Sequence, residues 1–159
     1  MVVRLRRSRL PRALLGVVLT VGCDNTVGHW SGTMTCPVAI DDATTTDATF
    51  DVELDLALRS RWSTEGDGTL GGEMSLDSGG STATWWQSFS VVIEQTQFSG
   101  EQDLKVTWTD GECEGTLDGE PTHATCDDEG EMPGWRWTGP NYIEIDNPSC
   151  SGALGREDT

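Results

Sequence analysis

The sequence predicts an all-β domain: an antiparallel meander of about eight short strands, stapled by disulfides and closed as a small barrel, with a two-sheet β-sandwich as the alternative closure. Three observations carry that expectation. Apolar residues recur at every second position along much of the chain, and no window of helical length after Cys23 holds a sustained apolar stripe. Glycine-rich turn signals separate the alternating runs. Beyond Cys23 stand four more cysteines, Cys36, Cys113, Cys126 and Cys150, with no Cys-x-x-Cys pair among them.

The clearest run is Asp51 to Leu58. Val52, Leu54, Leu56 and Leu58 fall on one face and Asp51, Glu53 and Asp55 on the other, the period of a strand with one buried side and one wet side. A helix would scatter those leucines around its circumference. Before this run, His29 to Cys36 directs Trp30, Gly32, Met34 and Cys36 inward, and the polar stretch Asp41 to Asp47 reads as a loop. After it, Glu65-Gly66-Asp67-Gly68 reads as a turn, and Thr69 to Asp77 as a strand with Leu70, Gly72, Met74 and Leu76 inward. Ser78-Gly79-Gly80 is the next turn, followed by strands marked by Phe89, Val91 and Ile93, then by Leu104, Val106 and Trp108. Asp110-Gly111 reads as a tight hairpin into Cys113 to Leu117, and Asp118-Gly119 as another turn. A short piece near Ala124-Thr125-Cys126, then Trp135-Arg136-Trp137 and Ile143-Glu144-Ile145, complete the set, and Ser151 to Thr159 reads as a frayed tail.

Strands joined in sequence order pair antiparallel with their neighbours, and closing the sheet removes its sticky edges. Four cysteines allow three pairings, and spacing alone does not select one. Cys113–Cys126 is preferred as a local bridge across neighbouring strands, with Cys36–Cys150 tying the first strand to the last.

The N-terminus has the layout of an export signal. Arg4, Arg6, Arg7, Arg9 and Arg12 form a basic flank with no acidic residue before Asp24, and an apolar run from Ala13 to Val21 follows. The run is shorter than the roughly 20 apolar residues needed to cross a bilayer. Arg6-Arg7 suits a twin-arginine signal poorly, because Ser8 and Arg9 stand where that signal turns apolar. Leu19-Thr20-Val21-Gly22-Cys23 resembles the bacterial lipobox, with Thr20 where that motif most often carries leucine. Ordinary cleavage after Gly22 is the alternative. Cysteine parity favours the lipobox, since committing Cys23 to lipid leaves an even number of thiols.

The resemblance implies a signal peptide over 1–22, cleavage before Cys23 and lipid on its sulfur, with anchor and linker over 23–28. The all-β domain then covers 29–150 and the tail 151–159. It also implies a place in the bacterial cell envelope, on the inner or the outer membrane. From Asp24 to Gly28 the linker reaches roughly 17 Å when extended, which keeps the domain near its membrane.

Five of the ten basic residues precede Cys23 and all 27 acidic residues follow it, so the exported part is strongly acidic. Such a charge repels phosphate backbones and excludes a nucleic-acid-binding role. It also repels anionic headgroups, so the domain is expected to stand off the bilayer.

Gly28-His29-Trp30 resembles the Gly-x-Trp that opens lipocalins, which implies that Trp30 plugs the closed end of an eight-stranded barrel and makes no ligand contact. Seven tryptophans is many for this length. Filling a core is the ordinary use of an indole, and lining a cavity or stacking on a sugar is the functional one. Trp85 and Trp86 are adjacent on a strand, so one of them must face away from the core. Trp62 stands between Arg61 and Ser63 in a loop-like stretch, and Trp62, Trp85 and Trp86 are the ligand-contact candidates.

Asp110-Gly111-Glu112 and Asp127 to Glu131 set hard oxygen ligands close together, with Asp127, Asp128 and Glu129 the candidates to hold calcium, although a solvated acidic loop is the commoner use of such runs and no EF-hand spacing is present. Only His29 and His123 could serve as imidazole bases, and no Gly-x-Ser-x-Gly elbow exists. The expected function is therefore non-catalytic and free of cofactors. A membrane-anchored envelope lipoprotein would bind a small apolar or sugar-like ligand, or a partner protein. A structural or adhesive envelope protein with a filled barrel is the alternative, and a small hydrolase is the least favoured.

Overall fold

The computed structural model describes residues 26–39, 45–75, 80–97, 100–122 and 125–157. The apolar run, the lipobox and Cys23 lie outside the described residues, as do Leu76, His123 and Ala124. The alternating sequence is carried by nine strands: β1 (Gly28–Ala39), β2 (Thr45–Ser60), β3 (Ser63–Ser75), β4 (Thr82–Glu94), β5 (Gln102–Leu117), β6 (Glu120–Thr122), β7 (Glu129–Gly139), β8 (Tyr142–Asp146) and β9 (Ser151–Arg156). All pairings are antiparallel, and they run β1-β2-β3-β4-β5-β7-β8-β9 and back to β1, with β6 attached to β5 alone. The ladder closes as a ring, so its eight principal strands each find a partner on both sides.

Period two carries through to burial. On β2, Ala48, Phe50, Val52, Leu54 and Leu56 are buried while Thr49, Asp51, Glu53 and Asp55 face water. Inside the ring Val52, Leu54 and Leu56 meet Trp30, Val91, Ile93, Val106, Trp137, Ile143, Ile145 and Leu154 in one core. At about 25 cal/mol per Å² of apolar surface removed from water, each such residue contributes roughly 1.5–3 kcal/mol. The two disulfides are Cys36–Cys150 and Cys113–Cys126, the preferred pairing. Cys126 lies in the segment leading into β7 rather than on a strand.

Several local expectations are corrected. Leu58 shares the parity of the β2 core residues yet is 61% exposed, because β1 begins at Gly28 opposite Leu56 and no β1 residue flanks Leu58. Glu65 to Gly68 is not a turn but part of β3, and the chain reverses at Arg61-Trp62 instead. Gly68 serves packing: a Cβ there would stand 2.5 Å from Leu54 Cδ2 and 2.6 Å from Phe89 Cζ. Asp110-Gly111 is not a hairpin either. β5 runs straight through it, and Gly111 and Glu112 bulge opposite Ser88, whose hydroxyl accepts the Glu112 N–H at 2.9 Å. Asp118-Gly119 does turn the chain, with φ of 51° and 84°.

Thr45 to Asp47 belong to β2 rather than to a loop, and the short strand after Gly119 is Glu120–Thr122, with Thr125 and Cys126 outside any strand. The expected tail is corrected most fully. Ser151–Arg156 is β9, paired with both β1 and β8, and it closes the ring. Its Ser-Gly-Ala-Leu-Gly composition hides the alternation, since Leu154 is its one buried large side chain. That smallness is what lets it fit: a Cβ on Gly152 would stand 2.2 Å from Thr33 O, and one on Gly32 would stand 2.0 Å from Ala153 O.

Candidate ligand cavity inside the ring

The two ends of the ring differ because their inward residues differ. At the end where β1 begins, Trp30 is fully buried and its Nε1–H donates to Thr26 O at 2.8 Å. Thr26, also fully buried, shares a 2.5 Å hydroxyl contact with Thr64. The Arg156 guanidinium lies 5.9 Å from the Trp30 ring centroid. Gln102 accepts the backbone N–H of Thr96 at 2.9 Å and donates to Gln97 O at 2.8 Å, fastening the β4–β5 connection over the same end.

Towards the far end, polar residues occupy inward positions. β4 places Trp85, Gln87, Phe89, Val91 and Ile93 on one face, and β5 does the same with Leu104, Val106, Trp108 and Asp110. A cavity of about 330 Å³ remains there, lined by Trp85, Gln87, Phe89, Trp108, Asp110 and Trp135 among others. Its lining is a chain of hydrogen bonds set among indoles. Gln87 Nε2–H donates to Asp110 Oδ1, and Trp85 Nε1–H donates to Gln87 Oε1 at 3.4 Å.

One wall is the segment Thr125 to Asp128. It is held to β5 by Cys113–Cys126, by the Asp110 N–H donating to Asp128 O at 2.8 Å, and by the Asp128 N–H donating to Asp110 Oδ2 at 3.2 Å. Burial pushes the Asp110 carboxyl above the usual carboxylate range, and the negative charges of Asp128 and Asp127 add to the rise. The bonds from the Asp128 N–H and from Gln87 pull the other way.

The three tryptophan candidates do not share a site. Trp85 lines the cavity. Trp86 faces out and is 41% exposed, as the opposite parity of the pair requires. Trp62 is 38% exposed in the β2–β3 hairpin, with the Arg61 guanidinium 5.1 Å from its ring. It borders an open outer groove of about 540 Å³ beside Glu94, Lys105 and Glu131. Lys105 Nζ lies 3.1 Å from Glu131 and 3.7 Å from Glu94, so one ammonium offsets part of the negative charge that Glu94, Asp103 and Glu131 give that groove.

His29 lines neither space. It sits on the outer face with Nδ1 2.8 Å from Asp55 Oδ1 and Nε2 4.0 Å from Glu157. Asp127, Asp128 and Glu129 are exposed, and among the described residues no three His, Cys, Asp or Glu side chains converge as a metal cage.

Gln87 was not singled out by sequence, and Asp110 only as a calcium-binding carboxylate, although both interrupt an inward apolar beat with a polar residue. Reading Asp110-Gly111 as a turn concealed the second of them. Comparison with protein-family models, with curated proteins and with solved structures found no match to this chain.

Proposed function

We propose that this chain is a lipid-anchored lipoprotein of the bacterial cell envelope, non-catalytic, whose ring binds a small apolar or sugar-like ligand. The observation that carries the binding half is the cavity: indoles of Trp85, Trp108 and Trp135 around the Gln87–Asp110 pair. Its volume of about 330 Å³ falls at the small end of ligand pockets, roughly 300–1,000 Å³. Indole faces suit the apolar face of a ring, and hydroxyls on such a ring find acceptors on Asp110 and a second N–H on Gln87. A filled interior would have favoured a structural or adhesive role instead. The anchoring half rests on the lipobox at Cys23.

Native mass spectrometry of the full chain, made in an oxidising bacterial envelope, tests both halves. The expected mass carries acyl groups on Cys23, two disulfides and a bound small molecule that Trp85→Ala loses. An apo mass, together with tryptophan fluorescence that neither sugars nor an apolar dye moves, would refute the binder. Cys23→Ser should release a folded protein from membranes, and continued membrane attachment would refute the anchor.

A further inference from the structure

We infer that the domain stands end-on against its bilayer, with Leu58, Trp62 and Tyr142 seated at headgroup depth and the cavity on the side away from the membrane. The inference rests on the lipid anchor proposed at Cys23.

Tether length comes first. Thr26 is fully buried and bonded to Thr64 and Trp30, so only Asp24 and Asn25 separate Cys23 from packed structure. Three extended residues reach about 10 Å. The end of the ring where β1 begins is therefore held within that distance of an acylated sulfur, and the far end cannot approach the lipid instead.

Exposed apolar surface comes second. Among the described residues the large exposed hydrophobics are Leu58 (61%), Trp62 (38%), Trp86 (41%), Leu117 (42%) and Tyr142 (48%). Leu58, Trp62 and Tyr142 belong to the two hairpins at the β1-start end, β2–β3 and β7–β8. Tyr142 is the chain's single tyrosine. Tryptophan and tyrosine with an apolar body and a polar tip settle at the membrane–water boundary.

Charge comes third and points the same way. The five basic residues after Cys23 are Arg59, Arg61, Lys105, Arg136 and Arg156, and all stand in this half of the ring. They offset part of its acidic charge through Arg59–Glu65, Lys105–Glu94, Lys105–Glu131 and Arg136–Asp103. The far half carries Glu73, Glu112, Glu114, Asp118, Glu120 and Asp127 with no lysine or arginine. An anionic leaflet therefore repels the far end more strongly than the near one. The repulsion expected from overall composition is uneven, and greatest at the far end. The cavity lies in that repelled half, which sets its wall segment Thr125 to Asp128 towards the aqueous side.

The test uses the acylated full chain on vesicles of phosphatidylcholine and phosphatidylglycerol with brominated acyl chains, reading tryptophan quenching. Trp62 and Trp86 are almost equally exposed but lie in opposite halves, so Trp62→Phe should remove most of the quenching and Trp86→Phe should leave it unchanged. Equal effects, or loss on Trp86→Phe, would overturn the orientation while the acyl mass on Cys23 still upheld the anchor. No acyl mass would overturn the anchor and the orientation together. Hydrogen exchange needs no tryptophan variant: relative to soluble Cys23→Ser protein, the vesicle-bound wild type should slow at 58–63 and 139–142. Slowing confined to 110–128 would overturn the inference.

Discussion

Removing the two disulfides one at a time should destabilise the domain unequally, and the structure sets the order. Cys36–Cys150 spans 114 residues and Cys113–Cys126 spans 13. If the bridges act by restricting the unfolded chain, their contributions at 25 °C are about 4.8 and about 2.9 kcal/mol. The folded structure widens that gap. Cys36 and Cys150 both pack against the core, whereas Cys113–Cys126 pins a wall segment that the Asp110–Asp128 backbone bond also holds. The long bridge also sits beside β9, a six-residue strand that alone connects β8 to β1. The comparison is Cys36→Ala/Cys150→Ala against Cys113→Ala/Cys126→Ala, each followed by urea unfolding at 25 °C. Domains of this kind hold only about 5–15 kcal/mol in total, so the first loss brings a domain at the bottom of that range close to unfolding while the second leaves it folded. Equal losses, or a larger loss from the short bridge, would refute the entropic ordering and the idea that β9 closure depends on its staple.

Other outcomes follow from single positions. Gly32→Ala should cost about 1–3 kcal/mol or more by forcing β1 away from β9, since the added Cβ meets Ala153 O at 2.0 Å. Gly139→Ala, with open space around it, should stay within about 0.5 kcal/mol, and similar melting of the two variants would count against the close approach of those strands. The His29 imidazole is raised above its usual range, chiefly by its hydrogen bond to Asp55 and further by the charges of Asp55, Glu157 and Glu53, against an opposing cost of desolvation. A raised folded value means the stabilisation is complete below the unfolded pKa of about 6.5 and fades as pH climbs through the folded one. Wild type should therefore lose melting temperature relative to His29→Gln as pH rises above the unfolded value of about 6.5, and a constant difference would refute the pairing.

Strand content was legible in the sequence because a half-buried strand must alternate, and Asp51 to Leu58 alternates almost without exception. The parity argument for Trp85 and Trp86 held for the same reason: it needs only the pleat, not a partner. The disulfide pairing also followed the expected order of the strands. What local pattern could not decide was the role of glycine. Gly66, Gly68 and Gly111 look like punctuation in a one-dimensional reading, yet they lie inside strands because neighbouring chains pass where a Cβ would stand. β9 escaped for a related reason, since residues small enough to slip between β1 and β8 leave almost no apolar signal. The Gln87–Asp110 pair belongs to the tertiary structure as well: two polar residues on separate strands line one cavity only after β4 and β5 are in register around a bulge. By itself the sequence determined which face of each strand is wet and which is dry. Tertiary structure alone decided how close the strands run, because that distance is set by backbones from distant parts of the chain.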